Sequence, residues 1–134
     1  MKKTIALLGL SLLLFSCSKE EEQYSNELKP VFEVDMPTAF AKDSVTKIPI
    51  RYKKQSSCHL FNGFYYDREN LTRTVAIHTI KINQDNCQTD TDTNVEVNLE
   101  FRPVALGTYH FKFWKGENAQ GVDEFVEFDA VVNH

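Results

Sequence analysis

Apolar and polar residues alternate with a period of two in several stretches of this chain, and this pattern predicts β-strands. In a strand, alternate side chains point to opposite faces, so each stretch has one apolar face to bury. The alternating stretches are 32–36, 48–52, 95–101, 109–114 and 126–132. Two further apolar stretches, 60–66 and 72–82, complete a predicted set of about seven strands.

Turn-forming residues separate these stretches at 67–70, 83–94, 106–107 and 116–121, and no helical period occurs after the first residues of the chain. About seven short strands in roughly a hundred residues predict an all-β, antiparallel β-sandwich. A lipocalin-like barrel, which needs longer and more numerous strands, is the alternative. Pro49 lies within one stretch and predicts an edge strand, because proline cannot donate a backbone hydrogen bond.

One turn refines the fold prediction. Gly107-Thr108-Tyr109 resembles the tyrosine corner that opens the sixth strand of immunoglobulin-like domains, where the tyrosine hydroxyl reaches back to an upstream backbone group. The resemblance implies an immunoglobulin-like or fibronectin-like sandwich over residues 31–134. Phe111 stands where antibody domains place their second cysteine, so their inter-sheet disulfide is not expected here.

Residues 1–16 have a different pattern, with Lys2 and Lys3 followed by an apolar run over 5–15. The run is shorter than the roughly 20 residues of a membrane-spanning helix and favours an export signal. Its end, Leu14-Phe15-Ser16-Cys17, resembles a bacterial lipobox, although Phe15 is bulky for its position. The resemblance implies that residues 1–16 are cleaved and that Cys17 carries acyl chains, palmitate among them. These chains would anchor the protein in a lipid bilayer. A simple cleaved signal or a buried helix is the alternative.

The charged run over residues 18–22, Ser-Lys-Glu-Glu-Glu, follows Cys17. Such a run is typical of a solvated tether, which we expect to cover residues 17–30 ahead of a single domain at 31–134. The run is also similar to the patch that follows the cysteine in surface lipoproteins of the Bacteroidota. That similarity implies the outer leaflet of the outer membrane, at the cell surface, and a periplasm-facing position is the alternative.

Charge and cysteine content narrow the functional classes. The formal net charge of −4 makes nucleic acid an unfavourable partner. With Cys17 assigned to lipid, Cys58 and Cys87 form an even pair in an oxidising compartment, and this predicts a disulfide. Two free thiols or a metal-binding pair are the alternatives, although no Cys-x-x-Cys spacing supports them.

The sequence holds no recognised catalytic motif, so we expect no enzyme and no cofactor. Asp90, Asp92 and Asn94 have the spacing of calcium-loop ligands, but Val95 and Phe101 stand where that loop requires Gly and Glu. The histidines fit no zinc-binding spacing and are His59, His78, His110 and His134. No metal site is therefore predicted.

Aromatic residues give the main indication of function. Three consecutive rings occupy positions 64–66, so at least one must point away from the core, and Trp114 falls on the polar phase of its strand. Tyr65, Tyr66 and Trp114 are therefore candidate ligand-binding residues, because exposed rings hold sugars or anchor protein interfaces. The alternative is that these rings cover the rim of the core.

These observations together predict a membrane-anchored envelope lipoprotein that serves as an accessory or interaction module with an envelope protein partner. A small glycan-binding β-sandwich module is the alternative function. Asp43-Ser44-Val45 resembles an O-glycosylation acceptor of the Bacteroidota, which makes Ser44 a candidate modification site. Asn70-Leu71-Thr72 fits an N-glycan sequon, which is a weaker candidate.

Overall fold

The computed structural model describes residues 23–89 and 94–134, which form eight β-strands and no helix. The strands are β1 (Tyr24–Lys29), β2 (Val31–Val34), β3 (Thr46–Lys53), β4 (His59–Glu69), β5 (Thr72–Ile82), β6 (Asn94–Phe101), β7 (Gly107–Glu117) and β8 (Asp123–Val132). The all-β prediction is confirmed, and strands β2 to β8 coincide with the predicted stretches. Strand β1 corrects the predicted tether, which was expected to extend to residue 30.

The strands form a five-stranded sheet of β1, β4, β5, β7 and β8 and a three-stranded sheet of β2, β3 and β6. Strand β5 pairs with β4 along one edge, and its other edge is shared by β1 and β7. The β5–β7 pairing is parallel, over Thr72–Val75, which corrects the prediction of purely antiparallel sheets. The parallel pairing arises because β6 lies in the other sheet and carries the chain back before β7 begins.

The two sheets bury their inner faces against each other in one hydrophobic core. On β7 the inner residues Tyr109, Phe111 and Phe113 are fully buried, as their alternation with polar residues predicts. The Phe101 ring of the smaller sheet lies 4.9 Å from the Phe111 ring and 5.1 Å from the Tyr109 ring, in edge-to-face contact. These aromatic contacts join the sheets and add to the stabilisation from apolar burial.

The predicted tyrosine corner is confirmed. The Tyr109 hydroxyl donates a hydrogen bond to the Ala105 carbonyl oxygen and accepts one from the Ala105 N–H, both at 3.2 Å. Gly107 permits this turn, because its φ is 135° and a Cβ there would lie 3.1 Å from Leu71 Cδ1.

The predicted Cys58–Cys87 disulfide is also confirmed, with Cα atoms 5.4 Å apart. It joins the residue before β4 to the loop after β5, and Cys58 is fully buried. The bond closes a loop with a sequence separation of 29, which in the chain-entropy account stabilises the fold by about 3–4 kcal/mol.

Pro49 lies in β3, which is the central strand of the smaller sheet, so the edge-strand prediction is wrong. The Pro49 carbonyl oxygen accepts a hydrogen bond of 2.9 Å from Asp35 N–H, on the side of β2. The N and C=O of a strand residue face the same neighbour, so the missing donor also faces β2. Strand β2 ends at Val34, and the sheet therefore tolerates proline at this position.

Candidate ligand-binding cleft

The outer face of the five-stranded sheet is rich in apolar side chains. Each strand contributes one residue to the outer face beside the cleft, and these residues are Leu28 of β1, Tyr65 of β4, Ala76 of β5, Trp114 of β7 and Phe125 of β8. Tyr65 has 49% of its surface exposed, and Trp114 and Phe125 are half-buried. An outer face of this composition is available for contact with a ligand or a partner.

These residues line a cleft of about 520 Å³, together with Thr74, Glu117 and Asp123. The volume is within the range of small-molecule sites. The cleft combines aromatic rings with one hydroxyl and two carboxylates, which is a mixture suited to orienting a polar ligand against flat apolar surfaces.

The cleft forms where β1 and β7 separate from each other. Both strands pair with the same edge of β5, β7 along Thr72–Val75 and β1 along Ile77–Ile82, so Ala76 lies between the two pairings. The Ala76 methyl group leaves space that a larger side chain would fill. Pro30 follows β1 and directs the chain into the other sheet, which leaves the gap open.

A β-bulge follows Trp114 in β7. Trp114 keeps its regular register opposite Phe125, and the register between β7 and β8 then shifts between Trp114 and Gly116, where Gly116 has a φ of 107°. Lys115 is the extra residue of the bulge, and the shift brings Glu117 opposite Asp123. The Trp114 Nε1–H donates a hydrogen bond of 3.0 Å to Asp123 Oδ1, which fixes the indole ring at the wall of the cleft.

A second cavity of about 380 Å³ continues beyond Leu28 and Tyr65, which line both cavities. It extends along the outer face past Asn26 and His78. The His78 ring nitrogens contact Asn62 O at 3.2 Å and Asn26 Oδ1 at 3.1 Å, so this ring is held in place. The two cavities form an extended groove, which fits an elongated ligand better than a compact one.

Tyr66, the third aromatic candidate, lies on the inner side of β4, opposite Val75. It packs against the core, and burial raises the pKa of its hydroxyl. The nearby Arg73 guanidinium is buried over the Tyr109 ring at 4.9 Å and donates hydrogen bonds to two backbone carbonyls. Tyr66 therefore stabilises the sheet interior, and we leave it out of the cleft.

The histidines lie apart from the cleft, although His78 lines the second cavity. His110 lies between two carboxylates, with Asp129 Oδ1 at 2.7 Å and Glu127 Oε1 at 3.1 Å, and the hydrogen bond to Asp129 raises its pKa. His134 is an exposed residue at the chain end. Within residues 23–89 and 94–134, no group of three or more His, Cys, Asp or Glu is placed to hold a metal ion. Asp90 and Asp92 lie outside the described residues, and Asn94 begins β6.

His59 belongs to a buried polar cluster beside the disulfide. Its Nδ1 lies 2.7 Å from Ser56 Oγ, and its Nε2 lies 3.4 Å from Glu27 Oε2. Burial lowers the pKa of His59 and so favours the neutral form of the ring beside the Ser56 hydroxyl. The same hydroxyl accepts a hydrogen bond from Cys58 N–H and is nearly closed off from solvent. We assign this cluster a structural role in holding the turn before β4 against β1.

The proposed modification sites differ in their surroundings. Ser44 and its neighbour Val45 are exposed in the loop between β2 and β3, where Asp43 has a φ of 62°. Asn70 is exposed in the β4–β5 turn with a φ of 53°. Cys17 lies outside the described residues.

Sequence reasoning selected Tyr65 and Trp114, and the structure places both in the cleft. It missed Phe125, Thr74, Glu117 and Asp123, because their contribution depends on strand pairing. The only available signal for Phe125 was an apolar residue on the polar phase of β8. In the part of the chain that the structure describes, no helix is long and apolar enough to cross a membrane.

Comparisons with protein-family models, with curated proteins and with solved structures gave no significant match. The functional assignment therefore rests on the chemistry of the cleft.

Proposed function

We propose that this protein is a lipid-anchored envelope protein that binds carbohydrate in the cleft on its five-stranded sheet. The observation that carries the proposal is the convergence of the Tyr65 and Trp114 rings, from β4 and β7, on one cleft. Aromatic faces stack on the apolar faces of sugar rings, and polar groups at the rim accept hydrogen bonds from sugar hydroxyls. Thr74, Glu117 and Asp123 supply those polar groups.

The groove also suits the shape of a glycan chain. The two cavities share Leu28 and Tyr65 and together run along the outer face of the sheet. An oligosaccharide of several units is long and narrow, so it would contact both cavities at once. This continuity favours an oligosaccharide over a single sugar.

The membrane anchor proposed at Cys17 gives the domain an orientation. Strand β1 enters the sheet where β5 ends, since Tyr24 pairs with Ile82. A chain between positions 17 and 23 reaches at most about 20 Å, so this end of the domain would lie near the membrane. The groove runs along the side of the domain and would stay open to ligands. The outer leaflet of the outer membrane remains our proposed location.

An immunoglobulin-like or fibronectin-like sandwich is our proposal for the fold. The tyrosine corner at Tyr109 and the single core between two sheets support it. The parallel β5–β7 pairing departs from the usual antiparallel pattern of such domains.

Binding of the purified chain to a glycan array tests the proposal. We expect Trp114→Ala and Tyr65→Ala each to weaken binding by at least about tenfold, because each removes a stacking surface. Phe32→Ala is the matched control, since Phe32 is an exposed ring on β2 and does not line the groove. Trp114→Phe should retain partial binding. Wild-type affinity in both alanine variants, with circular dichroism unchanged, would contradict carbohydrate binding in this cleft.

Contact with an envelope protein is the second candidate function. Val45, Val104 and Leu106 are exposed apolar residues at the end of the domain remote from Tyr24. Their loops are joined by a hydrogen bond of 2.7 Å from Asp43 N–H to the Pro103 carbonyl oxygen. If a cross-linked partner on intact cells is lost in Leu106→Ser and retained in Trp114→Ala, this surface is favoured over the cleft.

A further inference from the structure

Two carboxylates lie directly opposite each other at one side of the cleft. Glu117 of β7 pairs in register with Asp123 of β8, and both side chains line the cavity. Like charges opposite each other in a sheet are destabilising. Within residues 23–89 and 94–134, neither carboxylate has a lysine or arginine at ion-pair distance, although Asp123 accepts the Trp114 N–H. The neighbouring residues Lys115 and Glu124 form an ion pair with each other at 3.7 Å.

The turn between these strands fixes the backbone positions of Glu117 and Asp123. Asn118 Oδ1 accepts hydrogen bonds from Gln120 N–H at 2.9 Å and Val122 N–H at 3.0 Å. Asn118 N–H also donates to the Val122 carbonyl oxygen at 2.9 Å. The closed turn therefore keeps the backbone of Glu117 and Asp123 paired at one side of the cleft.

The aromatic rings of the same cleft favour a positive charge. The faces of Trp and Tyr rings attract ammonium groups, and Trp114 and Tyr65 both line the cavity. Next to the cleft, Lys112 Nζ lies 4.4 Å from the centre of the Phe125 ring, so one ring of this surface already holds an ammonium group. Lys112 itself does not line the cavity, so its ammonium group leaves the faces of the Trp114 and Tyr65 rings open.

We propose that the cleft binds a glycan that carries a protonated amino group, and that this group lies between the aromatic rings and the carboxylates of Glu117 and Asp123. A neutral sugar would make hydrogen bonds to the carboxylates but would leave their mutual repulsion in place. A cationic amine reduces that repulsion and also gains the ring contact. This inference rests on the proposed carbohydrate function and specifies its ligand as an amino sugar with a free amine.

Calorimetric titration of the full chain with two matched tetrasaccharides tests the inference. The probes are the β-1,4-linked tetramer of glucosamine and the corresponding tetramer of glucose, compared at about pH 5.5, where amines are protonated and carboxylates ionised. We expect the glucosamine tetramer to bind at least about tenfold more tightly. Its advantage should shrink as salt is raised, because the contact is partly exposed.

The double variant Glu117→Gln/Asp123→Asn should remove this preference while binding of the glucose tetramer persists. Glu124→Gln is the matched control, since Glu124 is next in sequence and does not line the cavity, and it should keep the preference. Equal affinity for the two tetramers in the wild-type chain would overturn the inference and leave carbohydrate binding intact. Binding of neither tetramer would overturn both. A preference that persists in the double variant would also overturn the role given to the two carboxylates.

Discussion

A charged network on the three-stranded sheet contrasts with the cleft on the outer face of the five-stranded sheet. On the three-stranded sheet, Arg51 lies at the centre of a charged network, with Asp35 at 2.7 Å, Glu33 at 2.9 Å and Glu96 at 3.2 Å. On the five-stranded sheet, the outer face presents aromatic rings and the unneutralised carboxylates of Glu117 and Asp123. The Arg51 network neutralises its carboxylates within the smaller sheet, whereas the cleft leaves carboxylates and apolar surface open to a ligand.

The difference separates stability from binding. Arg51 joins residues of all three strands or their ends, so its ion pairs hold the smaller sheet together. Trp114 makes one hydrogen bond within its own hairpin and otherwise borders the cleft. We therefore expect substitutions on the smaller sheet to act on the free energy of unfolding, and substitutions at the cleft to act on ligand affinity.

The largest effect should come from the core that the two outer faces share. Phe101→Ala removes a ring that contacts Tyr109, Phe111 and Phe40, and it should lower the free energy of unfolding by about 3–5 kcal/mol. Urea denaturation measures this loss. The exposed Phe32→Ala should change stability by less than about 1 kcal/mol. Similar losses for the two would show that the sheets do not depend on a common core.

A direct comparison of the outer faces should give the next largest effect. Arg51→Met leaves three carboxylates without their shared cation, so we expect a clear loss of stability and unchanged glycan affinity. Trp114→Ala should lower stability by only about 1 kcal/mol and should weaken glycan binding by at least about tenfold. Thermal unfolding and calorimetry on both variants check this reversal. A loss of glycan affinity in Arg51→Met, measured where this variant is fully folded, would contradict the separation of stability from binding.

The smallest effect concerns the charged cluster of His110, Glu127 and Asp129, at the other end of the outer face that carries the cleft. The pKa of His110 is raised by Asp129 and then by Glu127, so its stabilisation is complete below the unfolded-state pKa. It is lost as the pH rises through the folded-state pKa. His110→Gln should therefore cost stability at about pH 5.5, by less than about 1 kcal/mol, and this cost should fall as the pH is raised.

The stability that His59 contributes should depend on pH in the opposite direction. Burial, and then Lys29, lowers the pKa of His59, so the wild-type chain loses the stability due to this group as the pH falls below the unfolded-state pKa of about 6.5. The difference between the wild type and His59→Gln should thus be larger at high pH. A pH-independent difference in either variant would contradict the pKa shifts assigned to these two histidines.

Sequence patterns predicted local structure well. The seven predicted strands, the tyrosine corner and the disulfide all depend on short-range alternation, on one turn or on a count of two cysteines. Strand β1 was missed because its inner residues are polar. Ser25, Glu27 and Lys29 gave no apolar alternation, and the strand is held instead by pairing with β5 and by contacts such as Thr79 Oγ1 to the Glu27 carbonyl oxygen.

The cleft was predictable only in part, because its lining depends on which strands pair with each other. Tyr65 and Trp114 were recognisable as rings on an outward phase, but nothing in the sequence indicated that β4 and β7 would lie on either side of β5. Tyr66 differs from Tyr65 only by pointing inward, and that choice depends on the register with Val75.

The sequence alone determined that this chain folds into strands with one buried face, a disulfide and a corner at Tyr109, because side-chain alternation and turn chemistry act over a few residues. The tertiary structure decided that β1 and β7 share one edge of β5 and separate at Ala76. It also decided that Glu117 faces Asp123 beside Trp114. Pairing between distant strands is set by the balance of the whole core, so the cleft and its charge follow from the assembled sheet.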